Sequence, residues 1–383
     1  MNFSPDEAEL AVAALARDVA DTQLRPAAAA LDRVGGFPHE NLRALTRAGL
    51  LGVNVPRALG GLEAGALAYS LAITEVADAC AATTVALAVN NMVAEVVTHF
   101  GNPEQRAHHV PRLCDGRYVV GAFALSEAGA GSDPGGMRTT ARRTDAGWII
   151  DGSKLWISSG SDAGLFVVWA RTGEGAGARG ISTFLVPGDT PGVRRGKPEH
   201  KLGLRGSTTC AIDFEGCEVG PEALLDEAGR GFRVAMMALD GGRIGIASQA
   251  LGVGRAATRV AAAWAKQRWG ERVPQAVQFA LADNACELDA AALLTHRAAW
   301  LKREGKPFSN QASMAKLMAS ERAVAACDRA LAVMGADGQD RELPIERLVR
   351  DVRVSMIYEG TSEVQRLVIA RDIMRRFGEE ARA

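Results

Sequence analysis

The sequence lacks a C-x-x-C pair, a histidine spacing suited to a metal, and an excess of charge of either sign. Its six cysteines (Cys80, Cys114, Cys210, Cys217, Cys286 and Cys327) are scattered, so they read as reduced, mostly buried thiols and not as a disulfide or zinc framework. Only His108 and His109 adjoin, the other histidines stand alone, and no metal is expected. Lys+Arg (44) nearly equals Asp+Glu (45), which gives no electrostatic reason to expect nucleic acid or an anionic membrane as a partner. The first residues, MNFSPDEAEL, are acidic where a signal peptide is basic, and no uninterrupted apolar run reaches the length of a membrane span. A cytoplasmic location is the expectation. Internal repeats and low-complexity tracts are also missing, which excludes solenoid and linker architectures.

What is present is a 383-residue chain, 48% hydrophobic and 23% charged, enough for two or three packed units. Residues 5 to about 115 are Ala- and Leu-rich with helical periodicity, punctuated by Pro38, Gly49, Gly60-Gly61 and Gly101. From Tyr118 to about Val219 the pattern turns to short β-rich runs: 118–125, 137–143, 148–150, 165–170, 181–186 and 211–214, with Asp145-Ala146-Gly147 as a hairpin signal. Helical periodicity returns near 231–268, 275–304, 309–335 and 362–377. In the second of these, Val277, Leu281, Leu288 and Ala291 form one apolar face while Phe279, Ala282, Cys286 and Leu293 form another, so both sides are expected to be covered. The expected class is α+β: an all-helical domain (1–117), a middle antiparallel, barrel-like β domain (118–225) and a four-helix bundle (226–383).

Three motif matches are discounted. Residues 147–154 have the glycine spacing of a P-loop but reverse its Lys-Ser order and lie between strands. Ser313-Met314-Ala315-Lys316 has the S-x-x-K pattern of β-lactamases without its partner motifs, inside a predicted helix, and reads as chance. Gly252-Val253-Gly254 follows no strand, so close helix–helix packing explains it.

Two segments carry chemistry. In Phe123-Ala124-Leu125-Ser126-Glu127-Ala128-Gly129-Ala130-Gly131-Ser132-Asp133-Pro134-Gly135-Gly136, glycines let the backbone approach a planar or phosphorylated ligand while hydroxyls and N–H groups donate; a merely flexible loop is the competing reading. The following Lys154-Leu155-Trp156-Ile157-Ser158-Ser159 holds a Trp that either walls a flat ligand or plugs the core. In Ile357-Tyr358-Glu359-Gly360-Thr361-Ser362-Glu363-Val364-Gln365-Arg366, Ser362 and Gln365 have capping-box spacing, which puts Glu359 in the loop just before a helix. It is either a site carboxylate or a solvated loop acid.

Together with Lys201-Leu202-Gly203-Leu204-Arg205-Gly206-Ser207 and the stretch from Asp240-Gly241-Gly242-Arg243 to Gly252, these segments resemble the acyl-CoA dehydrogenases, the short-chain members most closely, over nearly the whole chain. The resemblance implies the helical, β and helical order read above and an FAD cofactor. It implies that Phe123, Ala124, Leu125, Ser126, Gly131 and Ser132 bind the flavin side, that Trp156, Ile157 and Ser158 cover the ring, and that Thr361, Ser362 and Glu363 hold the nucleotide part at a helix start. Ser132, Asp240, Gly241, Gly242, Arg243 and Gly360 match acyl-CoA contacts, and Glu359 matches the catalytic base. Some family members carry the base at the position of Gly242, which glycine excludes here. The implied reaction removes the α proton to Glu359 and the β hydrogen as hydride to flavin, giving a trans-2-enoyl thioester. The implied partners are an acyl-CoA substrate, an electron-transfer flavoprotein and further copies of the chain in a homotetramer.

The sequence departs from the family where a neighbouring subunit normally holds the FAD adenine end. Arg268-Trp269-Gly270-Glu271-Arg272-Val273-Pro274-Gln275 is shortened, with Arg268 and Gln275 the nearest matches. The family's Q-x-x-G-G reads Ala332-Val333-Met334-Gly335-Ala336, keeping Gly335 alone of its cofactor contacts. A dehydrogenase of a carrier-protein-bound acyl group is the alternative reading, and a non-catalytic CoA-thioester-binding protein a third.

Overall fold

The computed structural model describes residues 4–173 and 177–380. Six helices come first: α1 (Glu7–Val19), α2 (Arg25–Val34), α3 (His39–Arg47), α4 (Gly65–Ala79), α5 (Ala81–Phe100) and α6 (Pro103–Cys114). Sequence chemistry starts two of them. Asp6 accepts the Glu9 N–H while Glu9 accepts that of Asp6, and Asn102 and Gln105 make the same reciprocal pair ahead of α6. Helix α5 is long and apolar enough to cross a membrane, although Asn90, Asn91 and Glu95 interrupt its apolar run. It is buried along 83% of its most apolar stretch, as the core helix of this domain. Its two buried asparagines tie the domain together: Asn91 accepts the Val53 N–H at 2.8 Å, and Asn90 accepts the Gly121 N–H at 2.9 Å, where the β region begins.

The β region is one eight-stranded sheet in the order β6-β7-β3-β2-β4-β5-β8, with β1 beside β4. The strands are β1 (Gly121–Ala124), β2 (Thr140–Thr144), β3 (Gly147–Ser158), β4 (Leu165–Arg171), β5 (Ile181–Pro187), β6 (Val193–Arg195), β7 (Thr209–Val219) and β8 (Leu224–Leu225). The expected hairpin joins β2 to β3, with Thr144 opposite Gly147. The sheet is antiparallel in most of its pairings, as expected, with two parallel exceptions. Strand β1 runs parallel to β4, and β2 meets β4 in parallel at Thr140 and Arg171. The cause is topological: the β2–β3 hairpin is an excursion between β1 and β4, so β4 returns beside β1 in its own direction. Strand β3 outruns its apolar signal because Asp151 and Ser153 are exposed in mid-strand and Gly152 between them has no side chain. Strands β6 and β8, of three and two residues, are too short to show a period.

The remaining helices are α7 (Gly231–Trp269), α8 (Gln275–Arg303), α9 (Ser309–Met334), α10 (Pro344–Val352) and α11 (Ser362–Glu380). Helices α7, α8, α9 and α11 correspond to the four helical segments of the sequence. Helix α10 lies outside the helical segments expected from the sequence, although Ile345, Leu348 and Val352 bury one face. The small-residue reading of Gly252 and Gly254 holds: a Cβ on Gly252 would lie 2.3 Å from the Thr74 carbonyl oxygen of α4, and one on Gly254 2.7 Å from Leu288 of α8. The two-sided covering of α8 does not hold within the chain. Leu288 and Ala291 are buried, but Phe279 is 62% and Leu293 49% exposed, and Cys286 is exposed as well, because no element among the described residues reaches that side. The other five cysteines are buried, and all six are free.

Candidate active site

The loop of 123–136 is anchored by an ion pair. Glu127 accepts hydrogen bonds from Lys154 Nζ at 2.8 Å, Thr139 N at 3.0 Å and Arg138 N at 2.6 Å, and Lys154 also donates to the Leu125 carbonyl at 3.2 Å. Burial works to raise the Glu127 carboxyl, but these hydrogen bonds and the Lys154 charge outweigh it and hold the group below its ordinary value. Lys154 is fully buried, and that burial lowers its ammonium to about 8. Neither residue was singled out from sequence, although both stand in the quoted segments. The merely flexible reading of the loop is therefore replaced by a clamped one. Leu155 N donates to the Ser126 carbonyl at 2.9 Å, joining the loop to β3.

Within that frame the side chains divide. Phe123 packs on Trp169 at 4.2 Å, and Ala124, Leu125 and Ile157 are buried, so what they can offer a ligand is backbone. Ser126 and Ser158 are half-buried, while Gly131 and Ser132 are exposed. A Cβ on Gly129 or Gly131 would meet nothing within 4 Å, so this stretch of backbone faces open space. Trp156 does not plug the core. The register of β3 against β7 slips between Lys154 and Ile157, and Trp156 stands in that bulge at φ +60°, 64% exposed. Positive φ is costly for a bulky residue, and bulges re-aim side chains next to functional sites.

Glu359 stands in the bend before α11, at φ +54°, followed by Gly360 at φ +90°. The capping-box reading needs correction in its detail. Thr361 caps the helix, its Oγ1 accepting the Val364 N–H at 3.3 Å. The Gln365 amide turns back to donate to the carbonyls of Gly360 at 2.9 Å and Glu359 at 3.2 Å. The left-handed bend points both carbonyls at the helix start, where they take the donor. Ser362 is buried with its Oγ unpartnered among the described residues, while Glu363 is exposed.

The Glu359 carboxylate lies directly over Gly242 of α7. A Cβ there would be 2.7 Å from Glu359 Oε2 and 3.2 Å from Met92 Sδ. Oε2 is sheltered from solvent and has no hydrogen-bond partner among the described residues. Burial pushes the Glu359 carboxyl up to about 7, against the lowering influence of Arg243 and then Lys316. It is thus a sheltered carboxylate and not a solvated loop acid. Beside it, Arg243 Nη1 donates to Asp240 Oδ1 at 2.5 Å, Ser309 donates to the same oxygen at 2.9 Å, and burial raises the Asp240 carboxyl. A Cβ on Gly241 would come 2.9 Å from Lys302 Nζ, which pairs with Glu95.

Packing joins the two halves. Leu125 and Ala130 of the loop share one hydrophobic cluster with Met92 of α5 and Ala238 of α7, and Met92 borders Gly242 and Glu359. Arg268, Gln275 and Gly335 do not join this group. All three are exposed, and Arg268 lies about seven turns beyond Gly242, ~39 Å at ~1.5 Å per residue along α7. They share the distal end of the bundle, where Trp264 donates to Asp337 at 3.0 Å and Arg268 covers the rings of Trp264 and Trp269.

A sheltered carboxylate over a helix glycine, with an open-backbone loop and an outward tryptophan, is an arrangement suited to taking a proton beside a flat ligand. Three family profiles match the chain: "Acyl-CoA dehydrogenase, N-terminal domain" over residues 6–117, the "middle domain" over 122–217 and the "C-terminal domain" over 229–374. The Mus musculus protein "Short-chain specific acyl-CoA dehydrogenase, mitochondrial" is 45% identical over 366 residues, 94% of this chain and 89% of that protein. The solved butyryl-CoA dehydrogenase of Megasphaera elsdenii superposes with a TM-score of 0.95 at 35% identity, covering 98% of this chain and 100% of its own. A glutaryl-CoA dehydrogenase from Mycobacterium smegmatis, in complex with FADH2, gives 0.90 at 30% identity over 96% and 95%. The chain belongs to the acyl-CoA dehydrogenase family; it is an oxidoreductase with FAD as cofactor. The residues present fit that cofactor: the outward Trp156 offers a flat wall, the backbone near Gly129 and Gly131 is open, and the orphaned Ser362 Oγ stands at the start of α11.

Proposed function

We propose that this enzyme dehydrogenates a short-chain acyl-CoA at the α,β bond to the trans-2-enoyl-CoA, with Glu359 as the base and an electron-transfer flavoprotein as electron acceptor. The observation that carries the reading is the sheltered Glu359 carboxyl, raised to about 7 and standing over Gly242. A thioester α C–H is a weak acid, and a desolvated carboxylate is a stronger base than a solvated one. The Glu359 N–H has no acceptor among the described residues and is free to donate to the thioester oxygen as negative charge develops there. Asp240, Gly241, Gly242, Arg243, Gly360 and Ser132 orient the acyl-CoA. Backbone of 123–126, Gly131 and Ser132, with Trp156, Ile157 and Ser158, would hold the flavin ring, and N–H groups of Thr361, Ser362 and Glu363 the nucleotide end. Bound FAD supplies the hydride acceptor for the β hydrogen.

The distal placement of Arg268, Gln275 and Gly335 supports their serving the cofactor of another copy. So does the exposed stripe of Phe279, Cys286 and Leu293 on α8. A homotetramer is the assembly we propose, and light scattering of the yellow protein tests it. The reaction is tested by anaerobic bleaching of the flavin with butyryl-CoA, with a carrier-bound butyryl group compared in parallel. Bleaching by the carrier-bound group alone would move the substrate assignment to a carrier-protein pathway.

Two further results are expected. The base acts as carboxylate, so kcat/KM for butyryl-CoA should rise with pH through about 7 and level off above it. A profile flat across that value would exclude Glu359 as the titrating group. Gly242→Ala forces the carboxylate to move, because the new Cβ would come 2.7 Å from Oε2 and 2.9 Å from Cδ. Flavin reduction should then slow by ~10-fold or more, and an unchanged rate would show that the carboxylate has room to shift without loss.

A further inference from the structure

Lys316 belongs to the Ser-x-x-Lys stretch that the sequence offered as chance. It lies on α9 with its side chain fully buried, on the face that carries Ala312, Ala315, Ala319 and Ala323, all of them buried. An apolar residue would suit that face, since burying an ammonium is costly unless it is paired. No carboxylate among the described residues lies within ion-pair distance of it. Its Nζ donates instead to the Gly360 carbonyl at 2.7 Å, 44 residues away in sequence. Gln365 donates to the same carbonyl, so two donors from two helices grip the Gly360–Thr361 peptide, one residue beyond Glu359. That peptide is part of the left-handed bend at Glu359 and Gly360, a conformation that persists only where its surroundings over-determine it.

We propose that Lys316 is a positioning residue for the base, pinning the Gly360 carbonyl and holding a positive charge near the Glu359 carboxylate. The inference rests on Glu359 as the base. Burial lowers the Lys316 ammonium to about 8, with Glu359 the leading influence in the opposite direction. Other charged and titratable groups bear on the pair. Arg243 and Asp240 come from α7, Glu321 from α9, Glu363 from α11 and Tyr69 from α4, and Tyr358 adjoins the base. Of these, Arg243 is the other cation that lowers Glu359, so removing Lys316 leaves one of two.

The test is stopped-flow reduction of the FAD-loaded enzyme by butyryl-CoA as a function of pH, in Lys316→Met and Lys316→Gln. The Met variant should lose ~10-fold or more in maximal rate. Both variants lose the charge, so both should show the midpoint of the acid limb displaced upward by ~0.5 unit or more. The Gln variant, which can still donate to Gly360, should recover part of the rate. A uniform loss of rate with the midpoint unmoved would reduce Lys316 to a structural residue and overturn the proposal. If the Met variant does not fold, the Gln midpoint decides; if neither folds, the structural reading stands and the proposal falls. Glu359→Gln run in parallel separates the two inferences. Wild-type flavin reduction in that variant would remove the base itself, whereas its inactivity beside unshifted Lys316 variants would remove the role of Lys316 alone.

Discussion

Glu359→Gln is expected to slow flavin reduction by butyryl-CoA by at least ~10²-fold, the scale of a lost general base. The amide keeps the shape of the carboxyl and fits the same sheltered space over Gly242, where Oε2 has no partner to lose. FAD content and thermal unfolding should stay near wild type, which distinguishes loss of chemistry from loss of fold. The acid limb near pH 7 should vanish with the carboxyl that produces it. A Glu359→Gln enzyme that bleached at the wild-type rate would return the search for a base to the other buried carboxyl nearby, Asp240.

Lys154→Met carries the second large effect, on stability and loop order. Lys154 is fully buried and the Glu127 side chain is 8% exposed, so the substitution leaves a carboxylate without its counter-charge in a mostly dry place. Breaking one side of a buried pair costs about 3–5 kcal/mol. The loss should show as a lower unfolding midpoint together with earlier release of flavin, because the same pair clamps the loop of 123–136. Adding Glu127→Gln should recover part of the loss, since the uncompensated charge is then gone. Equal midpoints for wild type and Lys154→Met would mean that the N–H groups of Arg138 and Thr139 hold Glu127 unaided. The carboxyl is held below its ordinary range, so its stabilising contribution is complete above that range and is lost as pH falls through the folded value.

Much of this architecture was legible because its signals are local. Helical periodicity located α7, α8, α9 and α11, and β-rich runs located six of the eight strands. What was misread depended on neighbours. Helix α8 is apolar on two faces, and sequence cannot say whether the second is covered by the same chain. Gln365 has capping-box spacing, yet its amide went to the Glu359 and Gly360 carbonyls because the left-handed bend turned them toward it. Trp156 could equally have been a core plug until the β3 bulge turned it outward.

The sequence by itself determined the succession of helical, β and helical segments and the place of Glu359 in a loop at a helix start. Periodicity and turn chemistry act over a few residues, and those residues are adjacent in the chain. Only the tertiary structure decided that Glu359 stands over Gly242, that Glu127 and Lys154 clamp the glycine-rich loop, and that Lys316 holds the Gly360 carbonyl. Each of these joins residues far apart in sequence. The raised basicity of Glu359 comes from the burial that such contacts create together, and no residue in its own segment announces it.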